Sequence, residues 1–168
     1  YVMEVTGVKG ASMIGKMKRM LGILFLVLCL GSMGVVTASA TEIAESDLET
    51  NEDFAEDTTY SVLRGNNLNF GTTSINKLAS NKVAISGITQ CHHVCSTVYL
   101  NLTLERKVNG TYSTYKSWKF TTSNATNLDK NLTVIVPSGY YYRVRGYHAA
   151  KDGSKESVST LTKGILVK

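Results

Sequence analysis

The sequence predicts an all-β fold, a single antiparallel β-sandwich of about 6–7 strands that occupies residues 60–168. Three observations favour this fold class. Thr, Ser, Asn, Gly and Tyr are abundant whereas Pro occurs once, a composition that suits short strands joined by polar turns. Apolar and polar residues alternate through this region, and no stretch has the spacing of an amphipathic helix. A chain of 168 residues fits one such domain with an N-terminal extension.

The extension contains the pattern of an export signal. Lys18 and Arg19 precede an apolar run at residues 21–30, and the sequence ASA ending at residue 40 is typical of a signal-peptidase site. We expect residues 13–40 to be a signal-peptide helix and the mature protein to be secreted and extracellular. An uncleaved membrane anchor is the alternative, but small residues interrupt the run before it reaches about 20 apolar positions. We therefore expect cleavage, and no stable membrane insertion of the mature protein. Residues 1–12 fit no targeting signal, and we interpret them as sequence upstream of a start at Met13 or Met17.

Residues 41–59 are predicted to form a disordered acidic linker. Residues 41–57 hold eight acidic residues and no base, whereas residues 58–168 hold fourteen Lys or Arg and four acids, so the segment carries −8 and the body +10. Dense like charge with few apolar residues does not offset the entropy lost on ordering. Alternatively, the segment folds back on the basic body as an electrostatic shield or pro-segment.

Period-two alternation then marks the strands. Val83 and Ile85 mark one strand, and residues 98–105 form the clearest, with four apolar side chains on one face and polar ones between them. The dipeptide Asn109-Gly110 is a strong hairpin signal. It leads into residues 112–122, where Trp118 and Phe120 share a face and are expected in the core.

Three further segments complete the predicted sandwich. Residues 132–136 form a strand, residues 137–139 (PSG) turn it, and residues 140–148 run back with Tyr142 and Val144 inward. Residues 158–161 and 165–167 supply the last strand. The cysteine-containing segment at residues 91–95 is assigned to the connection between the strands at Val83 and Val98.

Residues 132–148 and 151–157 resemble the closing strands of fibronectin type III-like sandwiches, where a Pro-led turn precedes a Tyr-rich strand. That resemblance implies an immunoglobulin/fibronectin III-like sandwich. Residues 64–71 (RGNNLNFG), 116–120 (KSWKF) and 139–148 (GYYYRVRGYH) are similar to a family of small secreted proteins of Gram-positive (Firmicute) gut bacteria, classed as a domain of unknown function. This second resemblance covers about residues 64–167. It implies secretion and a β fold, and it carries over no activity and no catalytic residue.

Two cysteines and two histidines lie within five residues, in the order Cys91, His92, His93, Val94 and Cys95. An oxidising exterior favours a disulfide between Cys91 and Cys95. Residues four apart in a strand are about 13 Å apart, and bridged Cα atoms lie within about 7 Å, so this bond requires a turn. The alternatives are a zinc or copper site formed by Cys91, His92, His93 and Cys95, or a reactive thiol.

A second candidate site is the outward face of the strand at residues 140–148, which carries Tyr141, Arg143, Arg145 and Tyr147. Alternating rings and guanidiniums suit stacking on sugars or binding of phosphates. The alternative is cross-strand pairing on a solvated surface. With a body charge of +10, the stripe predicts affinity for a cell-wall polyanion or glycan, or for a protein partner, without specific recognition of nucleic acid.

No catalytic residue and no cofactor are expected. The four carboxylates of the body are scattered, so no paired acid-base site is recognisable, and no nucleophile, phosphate-loop or metal-helix motif occurs. We therefore expect a secreted, non-enzymatic β-sandwich that acts as an extracellular binding or interaction module. The alternative is a secreted antimicrobial or toxin-like factor that acts on bacterial envelopes, which small size, export and positive charge favour.

Overall fold

The computed structural model describes residues 48–61 and 66–168. Residues 1–12, the predicted signal peptide at 13–40 and the first part of the acidic segment lie outside the described residues. The described ranges form eight strands: β1 (Glu49–Thr50), β2 (Phe54–Tyr60), β3 (Leu68–Ala79), β4 (Lys82–Val108), β5 (Thr111–Ile135), β6 (Tyr140–Asp152), β7 (Ser154–Leu161) and β8 (Gly164–Val167). They hold no helix with the length and hydropathy that a membrane crossing requires.

All eight strands belong to one sheet, which confirms the all-β prediction. Its order is β1-β8-β6-β4-β3-β2, with β5 also paired to β4 and β7 also paired to β6. β1 and β8 run parallel, and the other pairs are antiparallel. Six of the strands, β3 to β8, lie within residues 60–168, where six or seven were expected. β1 and β2 add two strands from the acidic segment, and the β1–β8 pairing is not antiparallel.

A long hairpin of β4 and β5 connects the two halves of the sandwich. At its tip Asn109 and Gly110 have φ values of 51° and 81°, the positive values that a two-residue type I′ turn requires. The first half of β4 pairs with β3 and the second half with β6. A Cβ atom on Gly87 would contact side chains of Leu100 and Leu102, so the two halves of β4 face each other across the core.

The predicted division of this hairpin into separate strands is wrong. β4 includes both the strand at Val83 and the strand at Val98, and β5 includes both residues 112–122 and residues 132–136. A register shift between Gln90 and Cys95 and a positive φ of 51° at Asn124 mark the bend. Irregularities of this kind bend a strand without ending it.

The core confirms the alternation in the strands that the sequence identified. Val98, Leu100, Leu102 and Leu104 are fully buried, as are Tyr142 and Val144 of β6. Trp118 and Phe120 of β5 are partly buried against the same core.

The described part of the acidic segment forms strands and is not a disordered linker. β2 pairs with β3 along its whole length. The carboxylate of Asp53 accepts a hydrogen bond from Lys77 Nζ at 2.7 Å, and Asp57 Oδ2 accepts one from the backbone N–H of Leu161 at 2.7 Å. Cross-strand pairing and the positive charge of the body thus offset the entropy that argued for disorder. From Glu49 onward, the acidic segment folds back on the basic body, as the alternative prediction stated.

The sheet curls until β2 approaches β7, and side chains bridge the remaining gap. Asp57 binds the backbone of Leu161, and Thr59 Oγ1 donates to the carbonyl of Ser159 at 3.0 Å. These contacts replace the backbone ladder that full closure would provide. The described sandwich is therefore nearly closed, like a barrel.

A chain of polar side chains lies inside this near-closed region. His148 is fully buried, with Nδ1 3.0 Å from Thr89 Oγ1 and Nε2 2.9 Å from Thr160 Oγ1. Thr89 donates to the carbonyl of Tyr99 and so accepts from Nδ1–H, which leaves Nε2 to accept from Thr160. Thr73 in turn donates to Thr160 at 2.8 Å. Burial lowers the pKa of His148 to about 4. The neutral ring forms a hydrogen bond with each of the two threonines.

Candidate functional site

The turn end of the hairpin consists of the second half of β4 and the first half of β5. Together with β6 and β7 it presents a basic surface to solvent. Since Leu100, Leu102 and Val144 point inward, the residues between them point outward, and the strand register aligns them in rows. We call this surface the basic face, and its cations are Lys107, Lys119, Arg143, Arg145, Lys151 and Lys155. Two carboxylates, Glu49 and Glu105, lie among these six cations, so the basic face carries a net charge of +4.

Glu105 orients the two arginines at the centre of the basic face. Its Oε2 accepts from Arg143 Nε at 2.6 Å and its Oε1 from Arg145 Nε at 2.9 Å. Burial raises the pKa of the Glu105 carboxyl, but the hydrogen bonds and charges of Arg145 and Arg143 outweigh it and hold the pKa below its usual value. The side chain of Arg145 is 49% exposed and that of Arg143 only 12%, so Arg145 is the guanidinium that a ligand reaches.

Glu49 of β1 neutralises one border of the basic face. Its Oε1 accepts from Lys107 Nζ at 2.8 Å and from the Tyr112 hydroxyl at 3.2 Å. Burial, together with the charge of Glu49, raises the pKa of Tyr112, so the phenol stays protonated. The guanidinium of Arg143 stacks on the Tyr112 ring at 3.9 Å. This border is a packed structural network.

The opposite part of the basic face is open. Lys155 Nζ lies 4.4 Å from the ring centre of Tyr99 and 5.4 Å from that of Tyr147. The strand register also places Lys151 directly opposite Lys155, and both residues are exposed. Like charges directly opposite each other destabilise a sheet, and an anion bound between them would relieve that repulsion.

The predicted stripe of Tyr141, Arg143, Arg145 and Tyr147 lies on the basic face, at alternate positions of β6. Arg145 and Tyr147 belong to its open part, whereas Arg143 packs on Tyr112. Tyr141 lies beyond it and lines a surface depression of about 380 Å³ with three residues of β1 and its turn, Glu49, Thr50 and Asn51. Ligand binding by the stripe stays a prediction.

Sequence reasoning did not assign Lys107, Lys119, Lys151 and Lys155 to this surface. Their placement depends on which strands pair and in which register. The alternation at residues 98–105 already placed Glu105 outward, and this was the available signal. The stripe on one strand is thus part of a face built by four strands.

The cysteine-histidine segment forms a wide bulge in β4. Residues 91–94 lie between the paired positions Gln90 and Cys95, whose partners on β5 are Asn127 and Ala125. Both cysteines are buried with free thiols, and His92 and His93 are exposed. The bulge interrupts the regular pairing with β5 between the two cysteines, and the disulfide stays a prediction.

The structure does not bring the four side chains of the metal alternative together. The thiols face the core, whereas His93 Nε2 lies 3.4 Å from the carboxylate of Asp152 on the surface. Within the described ranges, no three His, Cys, Asp or Glu side chains are arranged to hold a metal ion.

Reduced Cys91 is expected to be a poor nucleophile in the folded protein. Burial and the neighbouring thiol of Cys95 raise the pKa of Cys91 from 9.0 to about 12, so its thiolate is about a thousandfold scarcer at neutral pH. Iodoacetamide should modify Cys91 about a thousandfold more slowly in native, reduced protein than in urea-unfolded protein, as measured by peptide mass spectrometry. Similar rates in the two states would contradict this environment. In protein prepared without reductant, resistance in both states would identify the disulfide.

Comparison with known proteins places the chain in a family. No curated protein matches its sequence. Among solved structures, the sporulation control protein Spo0M from Bacillus subtilis aligns at 13% identity and a TM-score of 0.35, over 70% of this chain and 51% of that one, so the chain spans about half its length. Chicken MD-1, solved in complex with lipid IVa, aligns at 12% identity and a TM-score of 0.31, over 68% of this chain and 92% of that one. The model of a family of unknown function, DUF6147, matches residues 37–164, and the chain belongs to this family.

Proposed function

We propose that the protein is a secreted, non-enzymatic binding module that holds an anionic polymer of the cell envelope on its basic face. The export signal predicted at residues 13–40 supports an extracellular location. The single observation that carries the proposal is the set of six cations on one sheet face with only two carboxylates among them.

The arrangement of these charges supports ligand binding over simple cross-strand pairing. Pairing alone would match cations with acids, whereas Lys151 lies opposite Lys155, and Lys119 lies opposite Asn101. The half-exposed guanidinium of Arg145 is held in place by Glu105, so little side-chain entropy is lost when it binds a phosphate or carboxylate. A polymer with repeated negative charges can satisfy several of these cations at once.

Structural use of the carboxylates supports a non-enzymatic role. Glu156 accepts backbone hydrogen bonds from Asn66, Asn67 and Leu68 at 3.0, 3.1 and 2.9 Å. Glu105 is held between two arginines. Both groups stabilise the fold, which leaves neither as a general acid or base.

Binding to Gram-positive cell walls tests the proposal. The mature protein should be retained on walls that carry teichoic acid, a phosphate polymer, and lost from walls stripped of it. An Arg145→Ala, Lys155→Ala double variant should bind about tenfold more weakly, since two exposed charges together contribute about 1.4 kcal/mol. Arg143 is left intact because its removal as well would leave Glu105 without a partner.

A Lys82→Ala, Lys163→Ala variant is the matched control. It removes the same amount of charge from outside the basic face and should bind within about twofold of the wild type. Equal retention on stripped walls, or equal losses in the two double variants, would contradict the proposal.

A further inference from the structure

The open end of the hairpin consists of the first half of β4 and the second half of β5. Together with β2 and β3 it forms a second solvent-exposed sheet face with different chemistry. Its outward residues align in rows across four strands. One row runs through Tyr60, Phe70, Gln90 and Asn127, the next through Thr58, Thr72, Ile88 and Asp129, and the next through Glu56, Ser74, Ser86 and Asn131. We call these twelve residues the amide face. Its ionisable carboxyl groups, Glu56 and Asp129, make it acidic, in contrast to the basic face.

A depression of about 320 Å³ lies on the amide face. Phe70 and Ile88 form its apolar part. Its polar part is formed by Ser86, Gln90, Asn127, Asp129, Lys130 and Asn131. Its volume is at the small end of the range of about 300 to 1,000 Å³ that small-molecule sites occupy. A site of this size fits one or two sugar rings better than a folded partner.

The polar part of the depression combines a fixed acceptor with available groups. Gln90 Nε2 donates to the carbonyls of Cys91 at 3.0 Å and Thr126 at 3.1 Å, which orients its side-chain oxygen as an acceptor. Asn127, Asp129 and Asn131 are exposed at alternate positions of β5. Across the part of the chain that the structure describes, none of these three side chains has a hydrogen-bond partner in the protein.

Phe70 also belongs to an aromatic pair beside the depression. The rings of Tyr60 and Phe70 lie 5.7 Å apart with an interplanar angle of 54°, and Tyr60 is 64% exposed. Ile88 in the next row is 38% exposed. A pyranose ring has an apolar C–H face and a rim of hydroxyls. It therefore requires both apolar side chains and polar groups free to form hydrogen bonds, and the amide face places the two next to each other.

We propose that the amide face binds a neutral pyranose oligosaccharide, with the ring face on Phe70 and Ile88 and the hydroxyls on Gln90, Asn127 and Asp129. The lining holds one carboxylate, Asp129, and one ammonium, Lys130, so the depression has no net charge that would favour an anionic ligand. The Lys130 ammonium also lies 5.7 Å from the Phe120 ring centre. This site is separate from the basic face and goes beyond the function proposed above.

Titration of ¹⁵N-labelled mature protein with cellotetraose, chitotetraose and maltotetraose tests this site. At least one of the three should shift the side-chain amide signals of Gln90, Asn127 and Asn131, with an affinity that persists at about 0.5 M NaCl, where charge interactions are screened. An Asn127→Ala, Asp129→Ala variant should bind that sugar about tenfold or more weakly, as two lost hydrogen bonds imply. Both side chains are exposed and unpaired, so the variant should fold.

Thr133→Ala is the control, because Thr133 is exposed on the same strand, two residues beyond Asn131. It should bind like the wild type. Absence of shifts with all three sugars at millimolar concentration, shifts confined to the basic face, or unchanged affinity in the double variant would each overturn the proposal. Binding of teichoic acid is measured on a different face, so either proposal can fail without the other.

Discussion

Replacing Gly146 by alanine is expected to lower the free energy of unfolding by about 2 to 3 kcal/mol, the usual cost of overpacking a core. The added methyl would overlap Thr160 Oγ1, the methyl of Thr73 and Nε2 of His148. These groups are fixed by their hydrogen bonds to one another, so none can move aside without breaking the chain. Urea unfolding followed by the fluorescence of the single tryptophan, Trp118, measures the loss.

Gly87→Ala provides a matched control in another buried strand position. The three atoms nearest to its methyl would be Cδ atoms, at 2.7 Å on Leu102 and at 3.0 and 3.3 Å on Leu100. These are the ends of flexible side chains and can rotate, and alanine also reduces the entropy of the unfolded chain. We expect a cost below about 1 kcal/mol. Equal losses at the two glycines would show that the polar chain is not rigid.

Acidification is expected to destabilise the protein through His148. The pKa of the buried ring is lowered to about 4 from 6.5. Between these pH values the unfolded state binds a proton that the folded state does not, so this stabilising contribution is complete above about pH 6.5 and is lost as the pH falls towards 4. At pH 5 the loss from this group is about 2 kcal/mol relative to pH 7.

Two measurements isolate this contribution. NMR of the imidazole nitrogens should show His148 as the neutral Nδ1–H tautomer from pH 7 to about pH 5. The free energy of unfolding of a His148→Leu variant, measured over the same range, should fall by about 2 kcal/mol less than that of the wild type. A ring that protonates near pH 6.5 in the folded protein would refute the assignment, whether or not the variant is stable.

The strands with a regular apolar alternation could be predicted from the sequence. Residues 98–104 carry four large apolar side chains at every second position, and the Asn109-Gly110 turn determines the register of the hairpin. The same rule placed Tyr142 and Val144 inward. In these segments local pattern and tertiary burial agree.

β2 and β3 escaped prediction because large apolar residues fill too few of their inward positions. β3 buries Leu68 and Ile75, but the inward positions between them are Gly71 and Thr73, which accommodate or support His148 and its partners. In β2, Ala55 is the only buried hydrophobic residue, and the acids around it indicated disorder. Both strands are stabilised by pairing with distant parts of the chain, which local sequence does not reveal.

The candidate site could be predicted only in part, because it too depends on pairing between strands that are distant in sequence. One strand's alternation identified Tyr141, Arg143, Arg145 and Tyr147, because outward positions follow from inward ones. The partners of these residues come from β4, β5 and β7. Lys155, for example, is ten residues from Arg145 in sequence but belongs to the same face through the pairing of β6 with β7. Only the strand register distinguishes a continuous cationic face from a row of separate charges.

The salt dependence of the affinity for soluble teichoic acid tests the central claim most directly. For a polyanion held by the basic face, the logarithm of the association constant should fall linearly with the logarithm of the NaCl concentration. The Arg145→Ala, Lys155→Ala variant should reduce this slope by about two, one for each lost phosphate contact, and Lys82→Ala, Lys163→Ala should leave it unchanged. An affinity independent of salt, or the same slope in all three proteins, would contradict the claim that the basic face is the binding surface.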